Sequence, residues 1–203
     1  MKLLHVDSSI LGAHSVSRTI SAAIVTHLQA VVGGLDIQHV DLSTTPLSHL
    51  SGAYLAGQSP EATPDDATRA DVAAGTAALE AFIAADIVVI GCPMYNFAIP
   101  SQLKAWIDRI CVAGRTFRYT EAGAEGLMGG KRIIVAISRG GLYGPETPLA
   151  FAEHQETYLR AVFGFLGVQN ITFIRAEGVA FGPEHRERSI AAALHEAEAL
   201  AAA

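Results

Sequence analysis

The sequence predicts an α/β fold, a doubly wound five-stranded parallel sheet with helices on both faces. Three observations carry that expectation. Short β-branched runs alternate with segments of helical periodicity from one end of the chain to the other. The runs hold enough Val, Ile and Leu to be buried on both sides. With 203 residues, 50% of them hydrophobic, a single domain spanning 1–203 can bury its core without disulfide or structural metal.

The first run, Lys2 to Val6, leads through a serine-rich loop into a helix whose Ile20, Ile24, Leu28 and Val31 share a face. Asp36 to Asp41 is the second strand. The stretch from Leu42 to Thr76 is longer than an ordinary crossover and contains Pro46, Pro60 and Pro64, with a helix start at Thr63-Pro64-Asp65-Asp66. A connection of that length is expected to act as a lid or a contact surface. Asp86 to Gly91 is the third strand. The helix after it carries Leu103, Ile107, Ile110 and Cys111 at core spacing, and its Trp106 suits the core or a subunit interface. Arg132 to Ile137 and Asn170 to Arg175 complete the sheet. Pro183 opens a final helix with Ile190, Leu194, Ala197 and Ala201 as its inner stripe.

Composition excludes several classes. The net charge of −6 is spread among mixed signs, whereas a nucleic-acid partner calls for a concentrated basic face. Cys92 and Cys111 form neither a CxxC nor a metal-type pattern and lie in apolar stretches, so both are expected as buried reduced thiols. Apolar runs fall well short of the roughly 20 residues of a membrane span. Met1 to Asp7 turns polar too soon for a secretory leader. A cytoplasmic protein with no membrane, nucleic-acid or metal partner is expected.

In doubly wound sheets the ligand sits beyond the carboxyl ends of the strands, at the switch point. The loop after strand one runs Asp7-Ser8-Ser9-Ile10-Leu11-Gly12-Ala13-His14-Ser15-Val16-Ser17-Arg18 into the first helix. A helix N-terminus attracts an anion, and Ser9, Ser15 and Ser17 add hydroxyls there. One serine would be read as a cap; three favour a phosphate. There is no GxGxxG after this strand, and Gly129-Gly130-Lys131-Arg132 lacks the spacing of a triphosphate loop.

After strand three, Pro93 and Pro100 stiffen a loop carrying Met94, Tyr95, Asn96 and Phe97, a set suited to a planar ligand. After strand four, Ser138-Arg139-Gly140-Gly141-Leu142-Tyr143-Gly144-Pro145 allows close backbone approach. A phosphate at one end and a flat ring at the other outline FMN.

On these residues the chain resembles the FMN-dependent NADH-azoreductases, of the flavodoxin-like NAD(P)H:quinone oxidoreductase group, over nearly its whole length. The resemblance lies in Pro93 to Phe97 with Pro100-Ser101-Gln102-Leu103-Lys104, in Thr116-Phe117-Arg118-Tyr119-Thr120-Glu121, and in Ser138 to Gly141. Ala176-Glu177-Gly178 and Gly182-Pro183-Glu184 agree as well.

It implies a flavodoxin-like strand order 2-1-3-4-5. By the same likeness Ser9, Ser15, Val16 and Ser17 would hold the phosphate region of non-covalent FMN. Met94, Tyr95, Asn96 and Phe97, with Ser138, Arg139, Gly140 and Gly141, would hold its ring, while Phe97 and Tyr119 stack against substrates. It further implies a homodimer sharing its pockets, and NADH or NADPH as donor for ping-pong reduction of quinones and azo compounds. The flavin carries the hydride in such a scheme, so no side chain is required as nucleophile. His14 and His154 are expected at the surface. The alternative on the same fold is an electron carrier or an FMN-binding regulatory protein.

Overall fold

The computed structural model describes residues 1–202. Its strands are β1 (Lys2–Asp7), β2 (Asp36–Asp41), β3 (Ile87–Pro93), β4 (Phe117–Thr120), β5 (Gly123–Gly126), β6 (Arg132–Ser138) and β7 (Asn170–Ala176). Among the described residues, five strands form one parallel sheet in the order β2-β1-β3-β6-β7, and β4 and β5 form a separate antiparallel hairpin. With the hairpin set aside, this is the expected 2-1-3-4-5 order.

The helices are α1 (Val16–Val31), α2 (Gly52–Gly57), α3 (Asp66–Ala84), α4 (Ser101–Ile110), α5 (Gln155–Phe165) and α6 (Pro183–Glu198). Strand alternation builds two cores. Leu3, Val89, Ile134 and Ile174 face Ile20, Ile24 and Leu28 of α1 and Ala193 and Ala197 of α6. Leu4, Val88, Val135 and Phe173 face Phe82, Trp106 and Phe163 of α3, α4 and α5. Trp106 thus belongs to the core, edge-on to Phe82 at 5.7 Å.

Several sequence expectations need correction. Val31, the last residue of α1, is exposed. Ala201 lies beyond the end of α6 and is exposed; Ala193 takes the inner place instead. β2 is an edge strand with no buried residue, since it pairs on one side only. Cys92 is fully buried, and burial pushes its thiol up to about 12, but Cys111 sits half-buried at the end of α4.

The long connection is more structured than a loop. Asp65 caps α3 through Thr68 N at 2.7 Å, so its last third is already helix. Tyr54 of α2 packs under the guanidinium of the wholly buried Arg109, 3.5 Å from ring centre to Cζ. Arg109 also donates to Ser48 O at 2.8 Å and to Asp71 at 3.1 Å. These contacts fasten the segment to α3 and α4.

Candidate functional site

β3 and β6 run further than the sequence suggests, pairing Cys92 with Ile137 and Pro93 with Ser138. Gly91, Cys92, Pro93 and Ser138 are therefore strand residues. Proline tolerates this place because the next donor, Met94 N, takes Ser138 O at 2.8 Å. The second and third loops thus start side by side.

The first loop joins them from β1. Ser8 is held to Gly91 through both its N–H, at 3.1 Å, and its hydroxyl, at 2.7 Å. The Tyr95 hydroxyl pairs with Ser9 Oγ at 3.2 Å and accepts from Ile10 N at 3.3 Å. Gly91 has no room for a side chain, since a Cβ there would strike Asp7 Oδ1. All three loops consequently meet beyond the carboxyl ends of β1, β3 and β6, where the chain order reverses.

At the entry to α1, Ser15 is the cap, accepting from Arg18 N at 3.3 Å, and it pairs with Ser17 Oγ at 3.1 Å. Ser9, Ser15, Val16 and Ser17 are all buried. Among the described residues the main-chain N–H groups of Val16 and Ser17 have no acceptor. Buried amides of that kind are nearly always paired, so this helix start is shaped for an anion. Arg18 turns its guanidinium away from it, onto Asp41 at 2.6 Å and Ser9 O at 2.7 Å, and so fixes the loop from behind.

Tyr95 and Ala98 exchange main-chain hydrogen bonds of 2.9 and 3.1 Å, closing a tight turn over Asn96 and Phe97. Both central residues have positive φ, 48° for Asn96 and 72° for Phe97. For Phe that conformation is strained, and such strain concentrates where a side chain must be presented. The Phe97 ring is 47% exposed and edge-on to Tyr143 at 6.2 Å.

The third loop is tied down on its far side: Arg139, Gly140 and Gly141 accept from Val179, Ala180 and Gly178 at 2.9–3.2 Å. Their orientation leaves the N–H groups of Gly140 and Gly141 without an acceptor among the described residues, as are those of Asn96 and Phe97. The Arg139 side chain is buried and occupied by Gln155, Glu177 and Glu153 at 3.1, 2.9 and 2.8 Å, and its main chain is engaged as well, its N–H on Ala176 O at 2.9 Å and its carbonyl accepting from Val179 N at 3.1 Å. Tyr119 lies elsewhere, on the β4–β5 hairpin, 76% exposed and edge-on to Phe117 at 5.5 Å. His14 and His154 are exposed.

Sequence reasoning missed the frame behind the third loop. Gln155 is wholly buried and links Arg139 to Cys92 O at 2.8 Å, while Glu177 also accepts from Tyr143 N at 3.2 Å. The available signal was Glu153, a carboxylate just before α5 that takes the amides of Gln155 and Glu156 at 3.0 and 2.7 Å.

The family model described as a flavodoxin-like fold matches residues 1–201. A curated relative from Methylorubrum extorquens (strain PA1), named FMN-dependent NADH:quinone oxidoreductase, is 63% identical over 100% of both chains. Among solved structures, azoreductase AzrA superposes with a TM-score of 0.90 at 30% identity, covering 100% of this chain and 99% of that one. An FMN-dependent NADH-azoreductase from Bacillus anthracis str. Ames Ancestor, solved in complex with FMN, gives 0.88 at 26% identity over 97% and 95% of the two chains. The chain belongs to the flavodoxin-like fold family, in the branch of the FMN-dependent NADH:quinone oxidoreductases and azoreductases.

Proposed function

We propose that this protein is an FMN-dependent oxidoreductase that passes two electrons from NADH, or NADPH, to quinones and to aromatic azo compounds. The observation that carries the reading is that three loops meeting beyond the carboxyl ends of β1, β3 and β6 each carry main-chain N–H groups with no acceptor among the described residues: Val16 and Ser17, buried, and Asn96, Phe97, Gly140 and Gly141, at least partly open to solvent. Their distribution fits the ligand in kind. The buried, hydroxyl-lined start of α1 suits a phosphate, and the two later loops suit the polar edge of a flat ring. The names of the relatives supply the same cofactor and donor.

Bound FMN would supply hydride chemistry. The chain's part is to hold and tune. Ser9, Ser15 and Ser17 replace phosphate hydration without adding formal charge. Met94, Tyr95 and the strained Asn96–Phe97 turn position the ring, with Phe97 left to stack against donor or acceptor. The Gly140 and Gly141 amides are donors fixed in advance near a ring edge that gains negative charge on reduction. Ser138 fixes the spacing of that loop from β3, and the Arg139 backbone ties it to Ala176 and Val179. Donor and acceptor taking turns over one ring face gives ping-pong kinetics.

We also propose that the working form is a homodimer. An apolar depression of about 620 Å³ between α4 and α5, lined by Ala98, Ile99, His154, Tyr158 and Ala161, lies next to Phe97. Phe151, 79% exposed, stands nearby in sequence on the loop before α5. A second copy covering this face would complete the acceptor pocket, and Tyr119 is the exposed aromatic offered for that role.

The test is anaerobic mixing of the purified, flavin-loaded protein with NADH and then with a quinone. Prompt bleaching of the flavin absorbance followed by return of colour is expected, with parallel double-reciprocal plots. A flavin that NADH does not bleach would point to an electron carrier instead.

A further inference from the structure

Behind the crevice, on the α1 side of the sheet, lies a group of side chains that the proposed reaction does not use. The parallel register sets His5 of β1 beside His39 of β2, and Asp7 follows two residues on, on the same face. The imidazoles stand 4.6 Å apart. Asp7 Oδ2 lies 3.1 Å from His39 Nε2 and 3.5 Å from His5 Nε2, and one ligand atom from each residue falls within 4.8 Å of the others.

We propose that His5, Asp7 and His39 form a binding site for a divalent transition metal of the zinc class. Zn²⁺ with ligands at about 2.0–2.1 Å in a tetrahedron needs its donor atoms about 3.3 Å apart. The two histidine–carboxylate separations, 3.1 and 3.5 Å, bracket that value, and the two imidazole donors, within 4.8 Å, come to it when the half-exposed His39 turns inward. Two imidazoles and one carboxylate are also the donors that zinc, copper and nickel prefer over magnesium or calcium.

The surroundings keep the donors in place and leave a route in. The Ser21 hydroxyl donates to Asp7 Oδ1 at 2.9 Å, which leaves Oδ2 turned to both rings; Ser21 Oγ also lies 3.0 Å from His5 Nε2, a contact that the imidazole exchanges for the ion. Arg18 comes no nearer to that oxygen than 3.7 Å and retains Asp41, Ser43 and Ser9 O as partners when it yields the carboxylate to a cation. His5 and Asp7 are buried, whereas the His39 side chain is 50% exposed on the edge strand. A hydrated ion therefore reaches His39 first, and the three ligands leave one position for water.

The probe is Zn²⁺, added to the full-length, flavin-loaded protein in competition with a chromogenic chelator. One tight equivalent per chain is expected. His39→Gln and His5→Gln should each weaken that equivalent by at least about tenfold, the lower bound for disturbing even an outer-shell partner. His49→Gln, at an exposed histidine outside the cluster, should leave it unchanged. Because His39 is half-exposed, His39→Gln is expected to fold normally, and its melting temperature without metal checks this. Zinc retained equally by His39→Gln and the parent, or no equivalent held by the parent, overturns the proposal.

Discussion

Phe97 holds a left-handed backbone that aromatic residues avoid, at roughly 1–2 kcal/mol, while its ring stays half in solvent. Stability and presentation are therefore opposed at this residue. Phe97→Gly should relieve the strain and raise the free energy of unfolding by about 1 kcal/mol. The same change removes the ring proposed to stack against the acceptor, a contact worth about 0.5–1.5 kcal/mol, so acceptor KM should rise up to about tenfold. Melting curves and steady-state kinetics over several quinones measure the two effects separately. An unchanged KM series would remove Phe97 from the pocket. Ser17 poses the opposite case. It is buried, yet its hydroxyl meets only Ser15 Oγ, so the fold loses little when it is cut away. Ser17→Ala should keep its melting temperature and bind FMN about tenfold more weakly, the loss of one hydrogen bond to a charged group. Flavin fluorescence titration reads this directly.

Among the elements, the hairpin and the long connection depend on single close contacts. A Cβ on Gly126 of β5 would strike the backbone of Leu166 and Gly167 after α5, where no side chain can yield. Gly126→Ala should therefore lower stability by about 1–3 kcal/mol, and limited proteolysis should cut first in the displaced hairpin. Arg109 fastens the 42–76 connection, and its Nε and Nη1 already lack partners in the buried site. Arg109→Ala leaves Asp71 unpaired and Tyr54 uncovered, so a loss of about 3 kcal/mol is expected in urea unfolding. The start of α3 was legible because Asp65 caps it locally. The anchoring of the connection was not, since it depends on Arg109, 38 residues beyond Asp71.

At the scale of the whole molecule, Glu156 ties the layer of α5 to the sheet. It takes Arg175 of β7 at 2.6 Å and Arg160 at 2.7 Å, with Arg139 at 3.6 Å. Burial alone would raise its carboxyl; the hydrogen bonds from Arg175 and Arg160 outweigh that and hold it below the ordinary range. A carboxyl depressed in the folded state binds protons more readily once unfolded. Its contribution is therefore complete above the usual carboxylate pKa and is lost as pH falls through the folded value. Glu156→Gln should be less stable than the parent at neutral pH, and the gap should close as pH falls below the ordinary carboxylate range. Urea titrations at several pH values test this; a gap independent of pH would mean that the ion pairs do not supply it.

The sequence by itself determined the five strands of the sheet and the loops to inspect, because each depends on neighbours a few residues apart; the strand order came from the family resemblance and not from local pattern. Val-Ile runs, the Ser15 cap, Pro183 and the paired glycines act locally. The buried serines around the start of α1 were legible for the same reason. Tertiary structure alone decided what those residues can do. It extended β3 and β6 until the second and third loops touched, and it committed the Arg139 side chain to Gln155, Glu153 and Glu177 rather than to a ligand. It also put His39 of the edge strand β2 beside Asp7. Each outcome depends on which strands pair and how far, and pairing joins residues whose separation along the chain leaves no periodic trace.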